Sequence, residues 1–422
     1  MRVLVLSQHY WPETFRITEV VASLRRRGVA VSVLTGQPNY PEGRVFEGYR
    51  AWSWARGEHE GTQVYRVPLV PRGRGGALRL VLNYLSFIAS ACTFGPWLLR
   101  RERIDVVFVY ATSPLLQAIA ALWIGRLKGA RVVTWVQDLW PDSLEATGYV
   151  RNPRLLGAVA AMVRWIYRHN DLLLAQSPAF VASVQRLAGA TPVVYHPNPG
   201  DAPTAAAPMG EPALRLEPGF NIIFAGNLGT VQSLETVLDA AERLRGQRGL
   251  HWVLVGSGSR SAWLAAEVQR RGLQECMRLP GRFEPAAMPA IFAQASALLV
   301  SLVRSPIMSQ TVPSKVQAYL AAGRPIVASM DGEGARIVQE AGAGVTSPAE
   351  DAAALAEAVL HLRAMDDAAR ARLGENGSRY FARHFDADCL AERLDALLAG
   401  TASAAADVGA ASPDNRHRNE TP

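Results

Sequence analysis

The sequence predicts an α/β protein with two doubly wound domains, each built on a mainly parallel sheet. A strand, a polar loop, an amphipathic helix and a second strand follow one another between residues 3 and 34, and the same order recurs between residues 220 and 255. Residues 202–217, between these repeats, are rich in alanine and proline without apolar periodicity, as is typical of a linker. We therefore predict two Rossmann-like domains that face a central cleft.

The length of 422 residues is sufficient for two complete hydrophobic cores. We place the first domain at residues 1–201, the linker at 202–217 and the second domain at 218–400. Residues 401–422 are polar and rich in alanine and aspartate, so we predict a disordered tail.

The first domain begins with a strand at Val3–Leu6, a helix at Arg16–Arg27 and a strand at Val29–Leu34. The loop after the first strand lies at the carboxyl edge of the predicted sheet, where such folds bind ligands. Its candidate site residues are His9, Tyr10, Glu13 and Arg16, although the Tyr10 ring could instead pack on the sheet. The next loop contains Asn39 and Tyr40 and is longer than a simple connection, which also favours a functional role.

The most unusual segment runs from Arg72 to Arg103. Its centre is a long apolar stretch, ALRLVLNYLSFIASACTFGPWLL, with arginines on both sides. The length approaches that of a membrane span, but three polar residues and a Gly-Pro pair interrupt it. Three alternatives remain open: a helix lying in an anionic membrane surface, a helix buried beneath the sheet, and a true span. We favour the first, because a span would divide the α/β domain between two compartments.

A buried strand at Ala130–Val136 runs directly into Gln137 and Asp138. A carboxylate at the carboxyl end of such a strand faces the crevice of an α/β domain, so Asp138 is a candidate catalytic residue. Its structural alternative is a loop hydrogen bond or a helix cap. The rest of the first domain is predicted as strands at 63–67, 104–110, 171–175 and 193–195 and helices at 114–127, 155–169 and 178–188.

The second domain has predicted strands at 220–225, 251–255, 277–279, 297–301 and 326–328 and a helix at 233–245. Glycine-rich loops at Gly226–Gly229 and Gly256–Gly258 permit close approach of the backbone to a nucleotide. Neither loop has the GxGxxG form, so we do not predict a nicotinamide enzyme.

A helix that starts at Ser314 and Lys315 is a second candidate for anion binding. Its free backbone N–H groups, positive dipole end, hydroxyl and ammonium together suit a diphosphate. The alternative is an ordinary αβ unit with a surface lysine.

Composition narrows the expected partners. The net charge is +7, and the sequence contains no basic-aromatic nucleic-acid motif. Lipid and phosphate are therefore favoured over nucleic acid. Three widely spaced cysteines provide neither a disulfide framework nor a metal cluster, which suits a reducing cytoplasm. The apolar run at residues 1–7 is too short for a signal peptide.

Three stretches together resemble the family-4 retaining glycosyltransferases, which have the GT-B fold. They are LSQHYWPETFRITEVVASLRRRGVAVSVLTGQPNYPEGRVFEGYR near the start of the chain, FAGNLGTVQSLETVLDAAERL at 224–244 and SKVQAYLAAGRPIVAS at 314–329. More narrowly, the chain resembles the bacterial exopolysaccharide and O-antigen branch that includes the colanic-acid and L-N-acetylfucosamine transferases.

This resemblance implies a nucleotide diphosphate-sugar donor, with UDP or GDP as the nucleotide. The expected donor-binding residues are Gly226, Asn227, Arg282, Phe283, Ser314, Lys315 and Glu333, and the expected acceptor-side residues are His9, Tyr10, Glu13, Arg16, Asn39 and Tyr40. Asp138 and Lys315 are the expected catalytic residues. No metal is expected, because no DxD-type cluster stands beside the phosphate site.

At several positions where members of the family usually have a charged residue, this chain has an uncharged one. The family's arginine and lysine in the first loop of the second domain correspond to Asn227 and Gln232, and its glutamate pair corresponds to Gln310 and Ala318. We expect Ser314, Lys315 and Glu333 to compensate. A histidine that precedes the Asp138 position in many members is Gln137 here, so no role for that histidine is carried over.

The predicted function is transfer of a sugar, with retention of configuration, to a lipid-linked acceptor such as a polyprenyl diphosphate glycan. The protein would act in surface polysaccharide synthesis, peripherally on the cytoplasmic face of the inner membrane, through residues 72–103. The missing charges motivate an alternative, in which a catalytically silent GT-B protein serves as a membrane-docked assembly partner. A non-hydrolysing sugar-nucleotide epimerase is less favoured, because the resembling stretches do not match it.

Overall fold

The computed structural model describes residues 1–73, 76–146, 152–200 and 213–401. The chain forms two compact units. The first comprises Met1–Gln176, Val181–His196 and the described residues from Ala391 onward, and the second comprises Ser177–Phe180 and Pro197–Leu390. Most of the predicted linker and nearly all of the predicted tail lie outside the described residues.

The first unit contains an eight-stranded sheet in the order β3-β4-β2-β1-β5-β6-β7-β8. All neighbours are parallel except β3 and β4. The central strands are continuous apolar runs because helices cover both faces of a parallel sheet. The strands are β1 (Arg2–Leu6), β2 (Ala30–Gly36), β3 (Ala55–His59), β4 (Thr62–Val67), β5 (Val106–Ala111), β6 (Arg131–Val136), β7 (Leu172–Ala175) and β8 (Val193–Tyr195).

The second unit contains a six-stranded, all-parallel sheet in the order β11-β10-β9-β12-β13-β14. Its strands are β9 (Phe220–Ala225), β10 (Leu250–Val255), β11 (Met277–Gly281), β12 (Ala297–Ser301), β13 (Ile326–Ser329) and β14 (Gly344–Ser347). In each sheet the strand order reverses at one point, next to β1 in the first unit and next to β9 in the second. The carboxyl ends of β1 and β9 are therefore the expected ligand sites.

Helices flank both sheets. In chain order they are α1 (Ile17–Arg26), α2 (Ala77–Leu98), α3 (Ala118–Lys128), α4 (Asp142–Ala146), α5 (Pro153–Arg168), α6 (Pro178–Ala188), α7 (Leu234–Arg243), α8 (Ser261–Arg270), α9 (Met288–Phe292), α10 (Pro306–Gln310), α11 (Ser314–Ala321), α12 (Glu333–Glu340), α13 (Ala352–Ala364), α14 (Asp367–His384) and α15 (Ala387–Ala399). Three short 3₁₀ helices lie at Leu115–Gln117, Thr230–Gln232 and Pro285–Ala287.

The last helix differs from the predicted domain boundary. From α15, Leu394, Leu397 and Leu398 are buried in the hydrophobic core of the first unit, together with residues of α1 and the central strands. The Arg131 guanidinium donates to the Leu398 carbonyl at 3.0 Å. The segment that follows Leu390 therefore belongs to the first unit, and the prediction that residues 218–400 form one domain is wrong for this segment.

Helix α2 has two different faces. Asn83, Phe87 and Ala91 are buried against the sheet side, whereas Leu78, Leu82 and Leu85 are 72%, 44% and 51% exposed. Among the described residues, α2 is the one helix whose length and apolar composition would be sufficient to cross a membrane. One face of α2 is therefore buried against the domain, and the opposite, leucine-rich face is exposed.

Candidate functional site

The carboxyl end of β9 forms a cradle of backbone atoms in the second unit. Gly226 and Gly256 have φ values of 136° and 140°, which side-chain-bearing residues rarely adopt. A Cβ atom on Gly256 would lie 1.8 Å from the Gly226 carbonyl oxygen. Both positions therefore require glycine, and the two loops leave space for a ligand close to the backbone.

A pocket of about 950 Å³ opens beside this cradle. Its lining includes apolar side chains that suit the flat faces of a base and two arginines, Arg282 and Arg324. The pocket brings together four predicted donor-binding residues, Gly226, Asn227, Arg282 and Phe283. The apolar lining includes Phe283, Pro285, Met288, Pro289 and Phe292.

Lys315 reaches the cradle from the first turn of α11. Its Nζ lies 3.7 Å from the centroid of the Phe224 ring and donates to the Gln232 side-chain oxygen. Its Cε lies 2.7 Å from the position of a Cβ on Gly226. Burial lowers the Lys315 pKa to about 7, and no carboxylate of the described chain forms an ion pair with it. An anion at the cradle would supply the missing counter-charge.

Tyr319 is a site residue that the sequence did not reveal. It is fully buried on α11, and its hydroxyl accepts from the Ala225 N–H at 2.8 Å. Burial raises the pKa of Tyr319, so the phenol stays neutral. The hydroxyl thereby fixes the end of β9, directly before Gly226, to the helix that carries Lys315. Helical spacing alone assigns Tyr319 to the core, because its polar contact becomes visible only in three dimensions.

Two other predicted donor residues occupy different surroundings. Ser314 is exposed at the start of α11 and does not cap that helix through its side chain. Glu333 is nearly buried at the start of α12, where its carboxylate pairs with Arg336 at 2.9 Å. The structure does not bring Glu333 into the pocket that contains Arg282. A donor role for these two residues stays a prediction.

On the first unit, His9 and Glu13 form a buried pair after β1. The His9 Nδ1 lies 3.1 Å from both carboxylate oxygens of Glu13. One of these oxygens also accepts the backbone N–H groups of Asn39 and Tyr40, at 2.8 and 2.7 Å. Glu13 therefore joins the two loops that were predicted as the acceptor side.

The remaining candidates in this loop differ in exposure. Tyr10 is 1% exposed and belongs to the hydrophobic core, where burial raises its pKa to about 12 and its hydroxyl contacts Thr62. The alternative of packing on the sheet is thus the one observed for Tyr10, and its prediction as an acceptor-side residue is not supported. Arg16 is half-buried at the start of α1.

Asp138 follows β6, as predicted, and is half-buried. The Trp140 indole N–H lies 3.2 Å from its carboxylate and 3.1 Å from the Ser113 hydroxyl. Burial and then the charge of Asp138 raise the pKa of the buried Tyr167. The hydrogen bond from Trp140 thus orients the Asp138 carboxylate. A catalytic role for Asp138 stays a prediction. Within the described residues, no group of three or more acidic, histidine or cysteine side chains is arranged to hold a metal.

Comparisons with known proteins match both units. Residues 14–199 match the model of the glycosyl transferase 4-like domain, and residues 219–365 match that of the glycosyl transferases group 1. The chain is 28% identical to WcaI of Escherichia coli (strain K12), named as a colanic acid biosynthesis glycosyl transferase, over 76% of this chain and 82% of that protein. It is 25% identical to the glycosyltransferase WbjE of Pseudomonas aeruginosa, over 75% and 82%.

A structural comparison supports the architecture. The α,α-trehalose-phosphate synthase (UDP-forming) of Burkholderia vietnamiensis is similar with a TM-score of 0.70 and 15% identity, over 96% of this chain and 98% of that chain. This likeness confirms the predicted GT-B fold, with its two parallel-sheet α/β units. The two family models together cover most of the chain, which belongs to the family-4 glycosyltransferases.

Proposed function

We propose that the protein transfers a sugar from a UDP- or GDP-sugar, with retention of configuration, to a lipid-linked acceptor in bacterial surface polysaccharide synthesis. The observation that carries this proposal is the cation of Lys315, which lies at a glycine cradle beside a pocket of nucleotide size. The proposal is supported by the names of the relatives, which include colanic acid biosynthesis and a UDP-forming synthase.

The chemistry that this site suits is stabilisation of a leaving diphosphate. As the bond between the anomeric carbon and the phosphate oxygen breaks, the acceptor oxygen bonds to the same face of that carbon. The acceptor proton passes to the leaving phosphate oxygen. The charge that develops there would be neutralised by Lys315 and by backbone N–H groups, without a metal. Asp138, on the first unit, would orient the acceptor.

The first experiment is a thermal-shift screen of the full-length protein against UDP, GDP, dTDP and ADP, with and without EDTA. We expect stabilisation by UDP or GDP that survives EDTA. A shift that disappears with EDTA would contradict metal independence. No shift with any nucleotide, although the protein unfolds cooperatively, would favour the silent assembly partner instead. Proton NMR of the product of turnover then tests retention, because α and β anomers have different couplings.

We further propose that α2 lies in the surface of an anionic membrane, at the cytoplasmic face of the inner membrane. Its exposed leucines form one stripe, and Arg100, Arg101 and Arg103 follow its end as exposed charges. Trp97 at the same end is 45% exposed and packs on Trp54 with the ring centroids 5.0 Å apart. Tryptophans at this position are typical of a membrane interface.

Vesicle sedimentation tests this orientation. The double variant Leu82→Gln and Leu85→Gln should lose binding to vesicles that contain phosphatidylglycerol. Leu155→Gln is a matched control, because Leu155 is 52% exposed on α5, outside this surface. Equal sedimentation of the double variant and the control would contradict the proposal.

A further inference from the structure

The first unit carries three kinds of surface in the order that an amphiphilic acceptor requires. The exposed apolar stripe of α2 is at one end, a cluster of aromatic rings at the carboxyl edge of the sheet is at the other, and Arg72 lies between them. We propose that the Arg72 guanidinium binds the phosphate of a lipid-phosphate-linked acceptor. Its lipid chain would lie against α2 and its first sugar on the Tyr40 ring. This inference rests on the proposed function and names the residue that binds the charged part of its acceptor.

Neighbouring residues position Arg72, and its guanidinium remains able to bind a ligand. Its backbone N–H donates to the Asn39 side-chain oxygen at 3.0 Å, and its guanidinium carbon lies 5.5 Å from the centroid of the Tyr40 ring. In the described part of the chain, no carboxylate forms an ion pair with this guanidinium. An arginine that rests on an aromatic face without an acidic partner is suited to bidentate binding of a phosphate.

The loop that positions Arg72 is firmly connected to the site. The buried Glu13 carboxylate accepts the backbone N–H groups of Asn39 and Tyr40. Farther along the same loop, the Gly43 carbonyl accepts the Gly73 N–H at 2.9 Å. A Cβ on Gly43 would lie 1.9 Å from the Gly73 carbonyl oxygen, so this close approach requires glycine. The acceptor-side loop is therefore joined to Arg72 and Gly73 by hydrogen bonds from both of these residues.

The aromatic end is suited to a sugar. Tyr40 is 36% exposed, and its ring centroid lies 5.2 Å from that of Phe15 and 5.6 Å from that of His9. His9 and Phe15 stack with an interplanar angle of 7°. The exposed face of Tyr40 offers flat apolar contact to the C–H face of a sugar ring, and its phenol supplies a polar edge, while the buried His9 ring supports Phe15 and Tyr40 from beneath.

The apolar end begins a short distance after Arg72 in the sequence. Leu78 is the most exposed leucine of α2, and Leu82 and Leu85 continue its stripe. The Arg79 side chain folds back over Gly73, with its Cδ 2.9 Å from the position of a Cβ there. A second positive charge thus stands at the junction between the apolar stripe and Arg72, where the phosphate of a membrane-embedded lipid would emerge.

Calorimetric titration with farnesyl diphosphate tests the assignment in the full-length protein, with farnesol as the uncharged probe. We expect Arg72→Gln to weaken farnesyl diphosphate binding by about tenfold, as for loss of a charge-assisted hydrogen bond, and Arg72→Lys to weaken it less. Arg164→Gln is the matched control, since Arg164 is an exposed arginine on α5, outside the surface formed by α2. Farnesol binding should not respond to Arg72→Gln.

Lys315→Gln separates this site from the donor site. If this variant, rather than Arg72→Gln, loses farnesyl diphosphate binding, the diphosphate occupies the second unit and the inference is overturned. Equal affinities of the wild type and Arg72→Gln, or no binding to the wild type, also overturn it. UDP titrations of the same proteins distinguish the two proposals. Intact UDP binding with no Arg72 effect refutes only the acceptor site, whereas absence of UDP binding in the wild type refutes the donor proposal.

Discussion

Replacement of Lys315 by methionine tests the donor site through its protonation. In the unfolded chain this lysine has its ordinary pKa of 10.5, whereas burial lowers the pKa to about 7 in the folded protein. Between these two pH values the unfolded chain holds a proton that the folded protein has released. The free energy of unfolding of the wild type should therefore rise with pH across this window.

The size of the effect follows from the same two values. The interval between 10.5 and about 7 corresponds to a penalty on the folded state of roughly 4 kcal/mol at pH 7, as an upper bound. Lys315→Met removes this penalty and loses one hydrogen bond to Gln232, worth about 1 kcal/mol. We expect the variant to be more stable than the wild type at pH 7, and the advantage to disappear as the pH approaches 10.5.

Nucleotide binding should change in the opposite direction. A diphosphate binds the protonated amine, so wild-type affinity for UDP should fall by up to about tenfold for each pH unit above 7. Lys315→Met should weaken UDP binding at pH 7 by roughly 1.5–3 kcal/mol and should abolish this pH dependence. Because the free amine takes up a proton on binding, titrations at pH 8 in buffers with different ionisation heats should show uptake approaching one proton per UDP.

Urea unfolding at several pH values and calorimetry with UDP are the two assays. Lys128→Met is the matched control, since the Lys128 ammonium donates to the carbonyls of Leu99 and Glu102 on the first unit. That variant should be destabilised without a change in UDP binding. A Lys315→Met variant that is less stable than the wild type at pH 7, together with pH-independent UDP affinity of the wild type, would refute the reasoning.

Three further predictions concern residues of the same sites. Gly256→Ala should abolish UDP binding in calorimetry, because the new Cβ atom would lie 1.8 Å from the Gly226 carbonyl oxygen. An unchanged UDP affinity would mean that these two loops do not form the cradle. Tyr319→Phe should lower the free energy of unfolding by about 1–2 kcal/mol and weaken UDP binding, because the Ala225 N–H loses its buried acceptor. Urea unfolding and UDP calorimetry measure these two effects, and no change in either would contradict the positioning role of Tyr319. Asp138→Asn should lower kcat, measured from initial rates, and leave the UDP dissociation constant from calorimetry unchanged. A weakened UDP affinity with a normal kcat would instead assign Asp138 to donor binding.

Much of the fold could be predicted because its strands carry the signal of a covered parallel sheet. The runs VVFVYA of β5 and ALLVS of β12 are apolar at every or nearly every position, and both are fully buried. Strand β3 was not predicted, because its sequence ARGEH is polar and mostly exposed, and pairing with β4 alone defines it. Strand β14 was not predicted either, because the short run GVTS carries little apolar signal.

The candidate site was only partly predictable. Glycines at strand ends and a lysine at a helix start are local patterns, so Gly226 and Lys315 could be selected from the sequence. The contact of Lys315 with Gln232 joins residues that are distant in sequence, and the hydroxyl of Tyr319 does the same for Ala225. Such contacts depend on how loops and helices pack, and a local pattern contains no information about that packing.

The burial of α15 in the first unit has a consequence for how the chain is synthesised. Leu394, Leu397 and Leu398 complete a core that otherwise consists of residues from the first half of the chain. During translation this core stays incomplete until the ribosome has made almost the whole polypeptide, so the first unit cannot finish folding before the second has emerged. A fragment that stops at residue 200 should therefore expose apolar surface and aggregate. Removal of residues 401–422 should leave the melting temperature unchanged, whereas a chain that ends at Leu390 should behave like the fragment.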